Sequence, residues 1–276
     1  MATQAGLPVG SGRLDLAGVA PDGASMPMWF HRPTGWSADR PVVVVLHGLN
    51  RDADNYRDNW VALSDEHGLL ILTPEFSQTQ FPGSETYNFG NMIDERGSVL
   101  DRAQWSFGVI DRVFDAARAM GGIRRSGYVI FGHSAGAQFT HRALLFGALR
   151  RAELVIAANA GAYIRLDPSI AFPGGLKGAP IDEDGERRAL QQRAVIMLGD
   201  ADNDPDHPNL PRGRFELDEQ GPHRFARGQF FVRSAEARAA TLGVKLAWKQ
   251  KIVPGVAHDN AGMAKAAAPL IATEVA

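Results

Sequence analysis

The segment Tyr128-Val-Ile-Phe-Gly-His-Ser-Ala-Gly136 carries a short apolar run into a serine flanked by glycines, and the apolar helical stretch Gly136 to Leu149 follows directly. The run Tyr128 to Phe131 reads as a strand buried on both faces. Gly132-His133-Ser134-Ala135-Gly136 is then a strand-to-helix bend of the form G-x-S-x-G. A serine at such a bend needs a strained backbone, and glycines two residues away on each side remove the side chains that would crowd it. The bend also turns the backbone N–H groups of a helix start, that of Ala135 first, toward a developing oxyanion. The pentapeptide is short enough to arise by chance, so the rest of the chain decides its meaning.

Outward from this bend the same rhythm repeats. Val42 to Leu46, Leu69 to Leu72, Leu154 to Ala158, Ala194 to Leu198 and Val244 to Ile252 are apolar runs that read as strands. Helices are predicted at Tyr56 to His67, Trp105 to Met120, Phe230 to Leu242 and Gly262 to Val275. In the second of these, Trp105, Val109, Ile110, Val113, Phe114 and Ala117 form one apolar stripe, and Gly121-Gly122 ends it. At the start, Arg13 to Val19 alternates and pairs with Met26 to His31 across Pro21-Asp22-Gly23, an antiparallel entry. The fold class is α/β: a doubly wound, mostly parallel sheet with antiparallel N-terminal strands and helices on both faces. No linker or internal repeat divides it, so residues 1–12 are expected to be a flexible N-terminus and 13–276 one domain.

Composition narrows the partners. At 276 residues, 45% hydrophobic and 22% charged, the chain has the make-up of an ordinary folded protein. Its formal charge of -2 supplies no positive field for nucleic acid. The absence of cysteine excludes disulfides, a thiolate metal site and a cysteine nucleophile together. No apolar stretch approaches the roughly 20 residues of a spanning helix. Residues 1–12 lack the cationic start and apolar run of a signal peptide, which makes the cytoplasm the expected compartment.

Three stretches break the rhythm: Phe76 to Asp94, Tyr163 to Arg187 and Asp204 to Arg227, all rich in Pro, Gly and polar residues. Loops this long in a compact domain usually shape a binding pocket. Tyr87, Phe89, Trp105, His207 and Phe225 are available to line one, although Trp105 opens an apolar stripe and reads as core.

Two further segments supply partners for Ser134. Val195-Ile196-Met197-Leu198 leads into Gly199-Asp200-Ala201-Asp202-Asn203-Asp204-Pro205, where Asp202 is favoured as the acid that orients an imidazole, ahead of Asp204 and then Asp200. A calcium loop is disfavoured there, because Pro205 stands where the sharp turn wants Gly and Pro211 where Glu belongs. His258, in the polar loop after the last strand, is the expected base. Ser134, Asp202 and His258 then follow one another in the chain as nucleophile, acid and base. His47-Gly48-Leu49-Asn50 follows the strand Val42 to Leu46 and places the Leu49 N–H as a second oxyanion donor beside Ala135, with His47 a structural residue of the turn. No metal and no cofactor is implied.

Val42 to Asn50, Gly132 to Gly136, Gly199 to Pro205 and Gly255 to His258 together resemble the α/β-hydrolase superfamily over nearly the whole chain. His47 to Tyr56, the loop Pro74 to Asn91 and the lack of a large cap domain are similar to the poly(3-hydroxybutyrate) depolymerase-like, LpqC-like and feruloyl esterase group. The resemblance implies a serine esterase acting on small or oligomeric hydroxyalkanoate or aryl esters through Ser134, Asp202 and His258. Secreted members of that group carry disulfides and a signal peptide, features this sequence lacks, which argues against an extracellular polymer as substrate. A peptidase or amidase of the same fold is the alternative, and a non-catalytic binding module of this fold a more distant one. Dehalogenase chemistry would need Asp at position 134.

Overall fold

Residues 6–213 and 215–275 are described by a computed structural model. Eight strands build one sheet: β1 (Gly10–Leu16), β2 (Met26–Arg32), β3 (Val42–Leu46), β4 (Leu70–Pro74), β5 (Tyr128–His133), β6 (Ala152–Ala158), β7 (Ala194–Gly199) and β8 (Trp248–Val253). Their order across the sheet is β1-β2-β4-β3-β5-β6-β7-β8. The β1–β2 and β2–β4 pairs are antiparallel and every later pair is parallel. The α/β-hydrolase architecture expected from the sequence is therefore present.

The helices are α1 (Ala53–Asp58), α2 (Val61–His67), α3 (Val109–Ala119), α4 (Ala135–Leu145), α5 (Glu183–Gln191), α6 (Phe215–Asp218), α7 (Arg224–Leu242) and α8 (Asn260–Glu274). Strand side chains alternate between faces, and β3 shows both faces covered. Val42, Val44 and Leu46 join a core with Phe114 of α3, Phe139 of α4, Leu190 of α5 and Phe231 of α7. Val43 and Val45 join another with Tyr56, Trp60 and Met263, Ala267 and Ile271 of α8. A strand buried on both sides favours apolar residues in succession, which is why β3 and the first parts of β4 and β5 read as continuous apolar runs. At the sheet edge β8 keeps Lys249 and Gln250 exposed, a pattern that discourages pairing with another chain.

Several boundaries differ from the expected ones for identifiable reasons. Of the expected flexible stretch 1–12, residues 1–5 lie outside the described residues, Leu7 is buried, and Gly10 to Gly12 already pair with Phe30 to Arg32. Tyr56 to His67 is two helices, because the chain turns at Asn59-Trp60 to seat the Trp60 ring against Phe131. The stretch from Trp105 begins with one short 3-10 turn, Ser106–Gly108, since Trp105 is extended and its indole N–H donates to the Leu100 carbonyl. Val244 to Ala247 is not strand: Gly243 ends α7 in the left-handed region, and the Val244 N–H closes the helix on the Ala239 carbonyl at 3.0 Å. Two long helices extend into expected loops, and the short α6 lies within one of them. Glu183–Gln191 is capped by Asp182, whose Oδ1 accepts from the Gly185 N–H at 2.7 Å. Arg224–Leu242 begins six residues before Phe230, with polar residues rather than apolar ones buried in its first turn.

Candidate active site

Ser134, Asp202, His258 and Leu49 come from separate segments, and each follows a parallel strand at its C-terminal end: β5, β7, β8 and β3. In an open α/β sheet this edge is where side chains from distant segments converge. Ser134 occupies the turn from β5 to α4 with φ 58° and ψ -115°. Such a backbone costs on the order of 1–3 kcal/mol and persists only where its surroundings enforce it. Here they do. A Cβ at Gly132 would stand 2.2 Å from the Gly136 carbonyl oxygen, and one at Gly136 would stand 2.3 Å from that of Leu46. The Ser134 N–H is held by the Ala158 carbonyl at 3.0 Å.

The three side chains form one hydrogen-bonded chain. Ser134 Oγ lies 2.9 Å from His258 Nε2, and His258 Nδ1 lies 2.8 Å from Asp202 Oδ2. Asp202 is buried, whereas Ser134 and His258 are partly open to solvent. The other two acids considered for the position serve elsewhere. Asp204 is exposed and accepts from the Asp206 N–H, while Asp200 Oδ1 accepts from the Gly255 N–H at 2.7 Å and so fastens the loop that carries His258. Gly48 packs beside Ser134: a Cβ there would be 3.7 Å from that of Ser134, and Leu49 follows it in the chain. The Ala135 N–H opens α4, where the first N–H groups have no carbonyl partner within the helix. Among the described residues no group of three or more His, Asp or Glu is arranged to hold a metal ion.

Two neighbouring histidines are locked in the neutral form. Burial pushes His47 down to about 4; its Nε2 accepts from the Phe76 N–H at 3.0 Å, and its carbonyl accepts from the Tyr87 hydroxyl at 2.7 Å. It braces the turn, as its sequence context suggested. His133 is held well below the usual histidine range, first by burial and then by the nearby His258 and Arg224. Its ring lies 4.7 Å from that of His258, and its Nδ1 is bonded to the Tyr56 hydroxyl at 2.9 Å.

A cavity of about 280 Å³ opens beside Ser134. All three long loops contribute to it: Glu85, Asn88 and Phe89 from the first, Tyr163 and Gly174 from the second, Asn209, Leu217 and Arg224 from the third. Of the aromatic residues considered for a pocket, Phe89 lines it. Tyr87 and Trp105 are core, Phe225 packs against the core, and His207 sits against His258 with ring centroids 5.3 Å apart.

Sequence reasoning missed three residues that organise the site. Arg224 Nη1 donates to Asp202 Oδ1 at 3.3 Å with both side chains buried, and Nη2 donates to His207 Nδ1 at 3.2 Å. Asn159, at φ 51°, accepts from the Gly199 N–H at 2.8 Å and donates to the Ala257 carbonyl at 3.0 Å, tying the acid loop to the histidine loop. Arg142 lines the cavity with its guanidinium 4.5 Å from the centre of the Phe89 ring. Asn159 follows β6 at the same sheet edge as the other loops, a position that was the available signal.

No protein-family model and no curated protein matches the chain. Solved structures do. Poly(aspartic acid) hydrolase-1 from Sphingomonas sp. KT-1 is 39% identical with a TM-score of 0.92, over 96% of this chain and 99% of that one. LpqC, a poly(3-hydroxybutyrate) depolymerase from Bordetella parapertussis, is 34% identical with a TM-score of 0.89, over 95% and 90%. The S-formylglutathione hydrolase FrmB from Staphylococcus aureus, 14% identical with a TM-score of 0.57 over 96% and 98%, shares the fold. The chain belongs to the α/β-hydrolase superfamily, in the poly(3-hydroxybutyrate) depolymerase-like group of serine hydrolases.

Proposed function

We propose that this protein is a serine carboxylic-ester hydrolase in which Ser134 is the nucleophile, His258 the general base and Asp202 the acid that orients it. The observation that carries the reading is the unbroken hydrogen-bonded chain from Ser134 Oγ through both ring nitrogens of His258 to Asp202. His258 takes the hydroxyl proton as Ser134 Oγ attacks the ester carbonyl. Asp202 holds the proton on Nδ1, so that Nε2 is free to accept, and stabilises the imidazolium that forms. The N–H groups of Leu49 and Ala135 receive the oxyanion, each contributing about 3 kcal/mol at such sites. His258 then protonates the leaving oxygen, and water clears the acyl-enzyme by the same steps in reverse.

The cavity beside Ser134 suits short hydroxyalkanoate or aryl acyl groups, with Phe89, Tyr163 and Leu217 for apolar contact. A second reading, amide cleavage, has one observation in its favour. The relative at 39% identity is a poly(aspartic acid) hydrolase, a polymer joined by amide bonds, and Arg142 and Arg224 line the cavity of this chain. Parallel assays separate the two. p-Nitrophenyl butyrate and methyl 3-hydroxybutyrate are expected to be cleaved with kcat/KM well above that for aspartyl p-nitroanilide, and Ser134→Ala is expected to abolish every activity. A higher kcat/KM on the anilide would establish the amidase reading, and full activity in Ser134→Ala would refute both.

A further inference from the structure

Ser134 lines two clefts rather than one. The second is a groove of about 230 Å³ on the side of α1 and the start of α8, and it differs from the larger cavity in two respects. His258 lines the groove and does not line the cavity. The groove is also strongly polar: five asparagines, Asn50, Asn55, Asn59, Asn209 and Asn260, face it together with the carboxylates Asp52 and Asp259, and among the described residues no lysine or arginine does.

Buried polar atoms surround this groove without partners. Asn260 is only 8% exposed, yet among the described residues neither its Oδ1 nor its Nδ2 has a hydrogen-bond partner, and the same holds for His133 Nε2 and Asp52 Oδ1. Burying such groups unpaired is costly, so they mark a surface built to be paired with something that enters it. The position of His258 says which half of a substrate that is. The atom that leaves must lie within hydrogen-bond reach of His258 Nε2 to collect the proton taken from Ser134, and the groove is the cleft that this ring faces.

We propose that the groove is the leaving-group subsite, and that it selects neutral alcohols rich in hydroxyl or amide groups over aliphatic alcohols and over those bearing a carboxylate. The proposal rests on the reading of Ser134 as nucleophile. In the acylation step the Ser134 Oγ–acyl carbon bond forms and the acyl carbon–leaving oxygen bond breaks. The leaving oxygen takes its proton from His258 and departs as the free alcohol through the groove. Asparagine amides offer donors and acceptors to its remaining hydroxyls, while Asp52 and Asp259 repel an anion.

Three esters with one acyl group test this: glycerol monobutyrate, propyl butyrate and butyryloxyacetate. The wild-type enzyme is expected to give kcat/KM about tenfold higher for the glycerol ester than for the propyl ester, with butyryloxyacetate lowest. Asn260→Leu is expected to reduce the glycerol-to-propyl ratio about tenfold, and Asp52→Asn, at a less buried position, to raise the relative rate on butyryloxyacetate about threefold. Equal kcat/KM on all three esters, or ratios unchanged in both variants, would overturn the subsite while leaving the reading of Ser134 intact. Absence of turnover on all three, together with failure of a fluorophosphonate to label the protein, would overturn that reading and the subsite with it.

Discussion

Arg224 donates to Asp202 Oδ1 at 3.3 Å, on the oxygen that His258 does not use, and both side chains are buried. The carboxylate is thus held from two sides, by the His258 imidazole and by a guanidinium delivered from the first turn of α7. Burial lowers the pKa of Arg224 and the charge of Asp202 opposes that shift, so each group depends on the other. Breaking a buried pair by deleting one partner costs about 3–5 kcal/mol, whereas neutralising both costs less. Arg224→Met is therefore expected to destabilise the protein more than the double variant Asp202→Asn/Arg224→Met does, measured by urea unfolding. An additive pair of changes would show that the two side chains are energetically independent.

Stability should fall in acid because of buried histidines. Burial first of all lowers the pKa of His47, His133 and His141, His47 to about 4. Below about pH 6.5 the unfolded chain binds protons at these positions that the folded chain refuses. Stability is complete above that pH and declines as the pH drops, by about 1.4 kcal/mol per pH unit for each histidine. Denaturant unfolding across pH 7 to 4.5 is expected to show this slope, reduced by about one proton in His47→Gln. A flat profile would mean that these side chains protonate without unfolding.

Asn159 joins two loops with one amide. Asn159→Ala removes both bonds; the exposed Ala257 carbonyl still accepts from the Asp259 N–H, while the buried Gly199 N–H is left unpaired, at a cost of about 1–3 kcal/mol. Because the loops carry Asp202 and His258, kcat is expected to drop about tenfold while KM changes little. Steady-state kinetics on p-nitrophenyl butyrate checks this, and an unchanged kcat would show that the loops hold their positions unaided.

The turn that presents Ser134 leaves no room for a methyl group. In Gly136→Ala the new Cβ would meet the Leu46 carbonyl oxygen at 2.3 Å and its carbon at 2.8 Å, both backbone atoms that cannot swing away. A loss of about 1–3 kcal/mol in stability is expected, together with loss of activity, since β3 also carries the Gly48-Leu49 turn. Thermal melting and esterase assay of the variant test it; wild-type values in both would show that the turn is pliable.

Much of this arrangement was legible in the sequence because strands buried on both faces leave an unmistakable apolar run. The segments after β3, β5, β7 and β8 could therefore be located, and Leu49, Ser134, Asp202 and His258 lie in them. Ser134 had glycines as markers and Asp202 its place three residues past Gly199, which favoured it over Asp204 and Asp200, although the bond to His258 is visible only in the fold. What stayed hidden was polar and long-range. Arg224 and Arg227 occupy a helix start that an apolar pattern cannot reveal, because their buried partners are a carboxylate and loop carbonyls. Glu183–Gln191 escaped notice because Glu186 is buried through its pairing with Arg238, not through apolar packing. The groove beside α8 was equally invisible, since its asparagines are spread from Asn50 to Asn260.

Fluorophosphonate labelling followed by peptide mapping tests whether Ser134 is the nucleophile. A single adduct on Ser134 is expected, formed in step with loss of esterase activity and slowed at least about a hundredfold in His258→Ala. An adduct on another residue, or full activity in a protein labelled at Ser134, would contradict that role.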